Sequence, residues 1–193
     1  MYKILNILLL ICISFTSYAK NSPDKIIQAL PSSIGKMTGD PVKSYANKTL
    51  GVSKGYNFKR DDITICATVY IFDMGAKHIP DGINSNYVRQ AYKYAKIDID
   101  FYEKKGAYKN VNLIEETVHK THLSENNTAL SLSAKYKYIK QKPGCGTSVT
   151  SYIYVFAAND HFIKTRITMN SENKTADSIR ENFIETITRI LSN

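Results

Sequence analysis

Few residues in this chain combine the type and spacing that chemistry demands. Of its three cysteines, Cys12 lies in an amino-terminal apolar run, which leaves Cys66 and Cys145. Cys145, set between Gly144 and Gly146, is the most accessible nucleophile candidate, and a thiol-dependent hydrolase would need His161 or His119 to meet it in space as its base. The same two cysteines can instead form one disulfide, closing a loop worth ~4 kcal/mol on the chain-entropy account. The alternative is two separate thiols, with Cys66 a small buried hydrophobe in a strand. His119 and His122 have H-x-x-H spacing, which holds a metal on a helix. Their surroundings, rich in Val, Thr and Ile, read as strand, where side chains three apart diverge. Glu115 and Glu116 are separated in the same way, and His78 and His161 stand at turns as ordinary solvated histidines. No G-x-S-x-G elbow and no glycine loop for phosphate is present. No catalytic residue, metal or cofactor is therefore expected, and the protein reads as non-enzymatic.

What remains is tyrosine interleaved with cations. Tyr87, Arg89, Lys93, Tyr94 and Lys96 form one group, and Lys135, Lys137, Lys140 and Lys142 form another. Rings with cations between them suit sugars, lipid head groups or an acidic protein surface. Against this, Tyr136 and Tyr138 can belong to the core while the lysines guard an edge strand from aggregation. The formal net charge of +9 favours an anionic partner. Lysines that simply keep a secreted domain soluble are the plainer explanation of that charge.

The compartment follows from the first residues. Lys3, the apolar run Ile7 to Ile13 and the small residues Ser17 and Ala19 predict a cleavable signal over 1–19, with the mature chain starting at Lys20. The apolar run is shorter than the ~20 residues a spanning helix needs. A lipoprotein site at Cys12 conflicts with Ile11 before it. Removing Lys3 leaves 25 basic against 17 acidic residues, net +8. No later segment is apolar enough to span a bilayer. A periplasmic or released protein is expected, with an acidic protein or envelope component as partner and nucleic acid disfavoured. Export also makes the disulfide the first reading of an even cysteine count. The Asn-x-Thr triplets at Asn47, Asn126 and Asn173 matter only in a glycosylating pathway.

These residues need positioning elements. Ser22-Pro23-Asp24 predicts a short helix closed by Pro31. Residues 51–74 read as two strands about Arg60-Asp61-Asp62, the second apolar on both faces and needing cover on each. Ser85 caps a helix that places Val88, Ala91, Tyr92, Ala95, Ile99 and Tyr102 on one face and ends near Gly106. Four strands follow, over 111–123, about 130–138, 149–158 and 162–169. In the second of these, Ser131, Ser133, Lys135 and Lys137 form a wet face. A helix from about Thr175 buries Ala176, Ile179, Phe183, Ile187 and Ile190. Residues 20–193 are expected to form one α+β domain, a three-layer α/β/α sandwich with a mostly antiparallel sheet of about six strands. The element order over Gly51 to Leu191 resembles the PsbP-like family, which implies an accessory or binding module. The expectation is an exported non-enzymatic binding or accessory protein of the bacterial envelope. A periplasmic immunity or inhibitor protein and a Cys145-dependent hydrolase are the alternatives.

Overall fold

The computed structural model describes residues 22–124, 127–142 and 144–192. The expected signal, its cleavage site and Asn126 lie outside them. Helix α1 (Pro23–Gln28) opens as its sequence requires, with Ser22 Oγ accepting the Lys25 amide and proline in the first turn. Three short strands, β1 (Ser33–Ile34), β2 (Met37–Gly39) and β3 (Lys43–Ser44), precede the hairpin of β4 (Val52–Arg60) and β5 (Ile63–Phe72). Then come α2 (Asn86–Lys104), β6 (Tyr108–Ser124), β7 (Asn127–Lys140), β8 (Ser148–Ala158), β9 (His161–Met169) and α3 (Lys174–Leu191). Among the described residues the nine strands form one antiparallel sheet in the order β1-β2-β4-β5-β9-β8-β7-β6, with β3 also on the outer edge of β4. The last strand, β9, is thus inserted between the two hairpins, pairing β5 on one side and β8 on the other.

Alternation along the strands divides the core in two. Ile153, Val155 and Ala157 of β8 face α2 and join Val88, Ala91, Ala95 and Ile99. Tyr154, Phe156 and Ala158 face the other way and join Ile27 of α1 with Ala176, Phe183, Ile184 and Ile187 of α3. Each fully buried Ile or Phe contributes ~1.5–3 kcal/mol. Phe183 meets Tyr56 edge-on at 5.1 Å, which ties α3 to β4.

The expected six-stranded α/β/α sandwich is overturned. The sheet has nine strands and dominates the molecule, and its helices are too few to complete two outer layers. Sequence pattern missed β1, β2 and β3 because strands of two or three residues have no measurable period. The incomplete cover is visible on β5, where Ile65, Ala67, Val69 and Ile71 are buried and Cys66, Thr68, Tyr70 and Phe72 are only half-buried. Helix α2 packs mainly on β6 and β8 and also meets β7 and β9, toward the β6 side of the sheet. The expected wet face of β7 is also corrected. Ser131 and Ser133 are buried there, because α3 crosses to β6 on that side.

Among the described residues no helix is long and apolar enough to cross a membrane.

Candidate functional site

Cys66 on β5 and Cys145 in the loop after β7 are joined as a disulfide, with their Cα atoms 5.8 Å apart. Gly146 lets the chain turn beside Asn170 with φ +98°, where a Cβ would fall 2.5 Å from the Asn170 Cβ. Asn170 is itself fixed by bonds to the Thr64 amide and the Asp62 carbonyl. The bridge therefore holds the β7–β8 loop across the ends of β8 and β9, onto the half-buried face of β5. Cys145 is buried, and a thiolate at this position would require the bridge to be opened first.

The histidines do not converge. His119 packs edge-on against Tyr154 at 5.1 Å, and burial holds its pKa below the ordinary histidine value despite Glu181. His122 lies 3.4 Å from Thr128 on the opposite face of β6. His78, as expected, is exposed, with its ring 2.6 Å from Asp160. His161 departs from expectation. It is fully buried as the first residue of β9, with Nδ1 2.6 Å from the Asn159 carbonyl. The turn before it is only Asn159-Asp160, both at positive φ, so the strand begins one residue earlier than its sequence suggests. Among the described residues no three His, Cys, Asp or Glu side chains gather as a metal site.

The two cationic groups from the sequence fall on different faces. On α2, Ser85 Oγ accepts the Val88 amide and the apolar face docks on the sheet. The outer face carries a second stripe: Tyr87, Tyr94, Ile97 and Phe101 are 43–53% exposed and recur at steps of seven, three and four. Lys93 borders this stripe one turn before Ile97, Arg89 lies a further turn back on the side of Lys96, and neither has an acidic partner among the described residues. Lys96 is different. Its Nζ binds Glu116 Oε1 at 2.5 Å and lies over the Tyr92 ring, which fastens α2 to β6. Tyr92 OH is 2.8 Å from both Glu116 and the Ser133 carbonyl, and burial followed by the Glu116 carboxylate raises its pKa. Glu115 has the opposite parity and stands across from Lys135.

Lys135 and Lys137 point to the α3 side and both bind Glu172, at 2.6 and 2.5 Å. Burial would raise the Glu172 pKa, but the two lysine hydrogen bonds outweigh it and hold the carboxyl at about 2. Lys140 has the other parity, that of Tyr136 and Tyr138, and Lys142 is exposed in the disulfide loop. The β7 row is therefore split, and two of its four lysines share one carboxylate within the fold.

One residue missed in the sequence stands out on the α2 side. Arg166 of β9 donates from Nε to Ser151 Oγ at 3.2 Å, and from Nη2 to the hydroxyls of Tyr138 at 2.6 Å and Tyr108 at 3.1 Å. Those two rings stack at 4.5 Å. Burial opposes its charge, yet the facing tyrosines keep its pKa above the ordinary arginine value. The available signal was parity, since Lys164 and Arg166 share a face in a strand that is otherwise apolar.

A surface depression of about 640 Å³ lies between the β5–α2 loop and the start of α2, and Tyr87, Gln90, His78 and Lys77 line it. With this geometry in place, comparison with known proteins adds no relative: no family model matches the chain, and no curated protein matches it.

Proposed function

We propose that this is an exported, non-enzymatic binding or accessory protein that takes an acidic partner protein on the outer face of α2. The observation that carries this reading is the contrast in pairing. Lys135 and Lys137 are bound by Glu172, whereas Lys93 stands unpaired beside the exposed Tyr94 and Ile97, and Arg89 stands unpaired one turn before it on the same helix. Aromatic anchors with adjacent cations supply contact area and charge together, the combination enriched at protein interfaces. The disulfide supports the exported part of the proposal, since such bonds persist in oxidising compartments. The resemblance in element order to PsbP-like domains is in keeping with an accessory role.

The test compares two double variants, Arg89→Glu with Lys93→Glu and Lys135→Glu with Lys137→Glu, on an acidic polypeptide matrix at graded ionic strength. Wild type and the β7 pair are expected to be retained and to elute with salt, and the α2 pair to flow through. Retention unaffected by the α2 substitutions, or indifferent to salt, would refute the proposal.

A further inference from the structure

Arg166 is a cation held by hydrogen bonds at Nε and Nη2 while its charge has no counter-charge among the described residues. All three of its partners, Ser151, Tyr108 and Tyr138, are hydroxyls, and no carboxylate pairs with it among the described residues. Hydroxyls fix the plane of a guanidinium without cancelling its charge, so removing it from water remains costly. The fold shows its other solution on the opposite face, where Arg180 binds Glu181 at 2.7 Å and Asp177 at 3.5 Å. The remaining amino group of Arg166, Nη1, makes no hydrogen bond among the described residues and is not one of the occluded polar atoms lacking a partner. The side chain is half-buried, and the orientation of Nη1 is set by the engaged Nε and Nη2.

The surroundings of that group are built from donors. Thr68 of β5 stands directly across from Arg166, and Tyr70 across from Lys164. Lys164 is two residues from Arg166 on the same face, with Nζ 4.5 Å from the Tyr70 ring centroid. All four side chains are half-buried, two on β5 and two on β9 beside α2. Asp98 of α2, half-exposed, binds Lys164 at 3.1 Å from the rim. A planar guanidinium with a free amino group, beside an ammonium and two hydroxyls, matches an oxyanion in both charge and geometry.

We propose that Arg166, Lys164, Thr68 and Tyr70 form a receptor for one oxyanion group, a carboxylate or phosphate, carried by a ligand lying in the gap between α2 and β5. The site shares no residue with the outer face of α2 and stands or falls independently of it.

The experiment titrates the isotopically labelled full protein with acetate, and separately with inorganic phosphate, at constant ionic strength. It reads the side-chain Nε–H signal of Arg166 against that of Arg180. A saturable shift at Arg166 with none at Arg180 is expected, and the anion that binds more tightly names the source of the oxyanion. Lys164→Gln should weaken binding roughly 10-fold. Asp98→Asn, which releases Lys164 from its rim partner, should tighten it several-fold. Both substitutions are at the rim, so neither depends on a core variant that may not fold. A linear shift without saturation, an equal shift at Arg180, or an affinity untouched by both substitutions overturns the proposal.

Discussion

Two arginines lie on opposite faces of one sheet and are accommodated differently. On the α3 face, Arg180 stacks over Tyr152 at 4.3 Å, donates to the Tyr154 hydroxyl and has two carboxylates beside it. Nearby, Glu172 is shared by Lys135 and Lys137 and offsets part of their charge. On the α2 face, Arg166 is held by hydroxyls alone, and Arg89 and Lys93 have no acidic partner among the described residues. The chain carries a large excess of positive charge, but fold-internal pairing decides where it can act. On the α3 face the named cations all have carboxylate partners, whereas on the α2 side Lys96 and Lys164 are paired with Glu116 and Asp98 but Arg166, Arg89 and Lys93 are left without one among the described residues.

The largest test of this contrast is the bridge that anchors the uncovered side. Replacing Cys66 and Cys145 together by serine should lower stability by ~4 kcal/mol, the chain-entropy value for a loop of this length. The shift in denaturant midpoint measures it. A loss below about 1 kcal/mol would mean that the β7–β8 loop is held by its other contacts, such as Gly146 against Asn170.

The two arginines then separate the faces directly. Arg180→Met strands the Tyr154 hydroxyl and two carboxylates, and should cost about 2–3 kcal/mol, below the usual penalty for a broken buried pair because Asp177 and Glu181 are half-exposed and rehydrate. Arg166→Met removes a charge that had no counter-charge and leaves Ser151 still bonded to Thr168 at 3.1 Å, so about 1 kcal/mol is expected. Equal costs in thermal or denaturant unfolding would erase the distinction drawn between the two faces.

Glu172 gives the same contrast a pH dependence. Its folded pKa is depressed to about 2, so the native state holds the carboxylate ionised after the unfolded chain has begun to protonate. The associated stability is complete above the ordinary glutamate range and is lost as pH falls from about 4.5 toward about 2. Glu172→Gln should cost about 1–2 kcal/mol at neutral pH, with solvent screening keeping it at that level, and nothing near pH 2. A cost independent of pH would show that the side chain acts by packing.

How far these features could be read from sequence depends on the distance over which each is specified. Ser22-Pro23 and Ser85 are local signals, and α1 and α2 begin where they indicate. The hairpin of β4 and β5 and the strands β6 to β9 were legible, β7 by alternation, β5 and β8 as runs apolar on both faces and β6 by its Val, Thr and Ile, and the bridge was legible by cysteine count. Strands β1 to β3 were not, because a pair such as Ile34 with Met37 is defined by its partner rather than by any period. The candidate surface divides likewise. The stripe and cations of α2 follow from helical spacing, but the capture of Lys135 and Lys137 by Glu172 joins residues far apart in the chain and required the fold. The burial of His161 was missed for a local reason, since two left-handed residues before it shortened the turn.

The smallest expected effect is the most discriminating. Arg89 and Lys93 are four residues apart on α2, so their charges repel across one helical turn. Lys93→Glu converts that repulsion into an attraction and should raise stability by about 0.3–0.5 kcal/mol, a gain that sharp thermal unfolding can resolve. The same substitution removes a cation from beside Tyr94 and Ile97 and should weaken retention on the acidic matrix. A more stable protein that binds less well is the signature of a surface kept for a partner rather than for the fold. If Lys93→Glu gains stability and loses no binding, the lysine served only to keep the helix wet, and the functional weight moves to the gap beside Arg166.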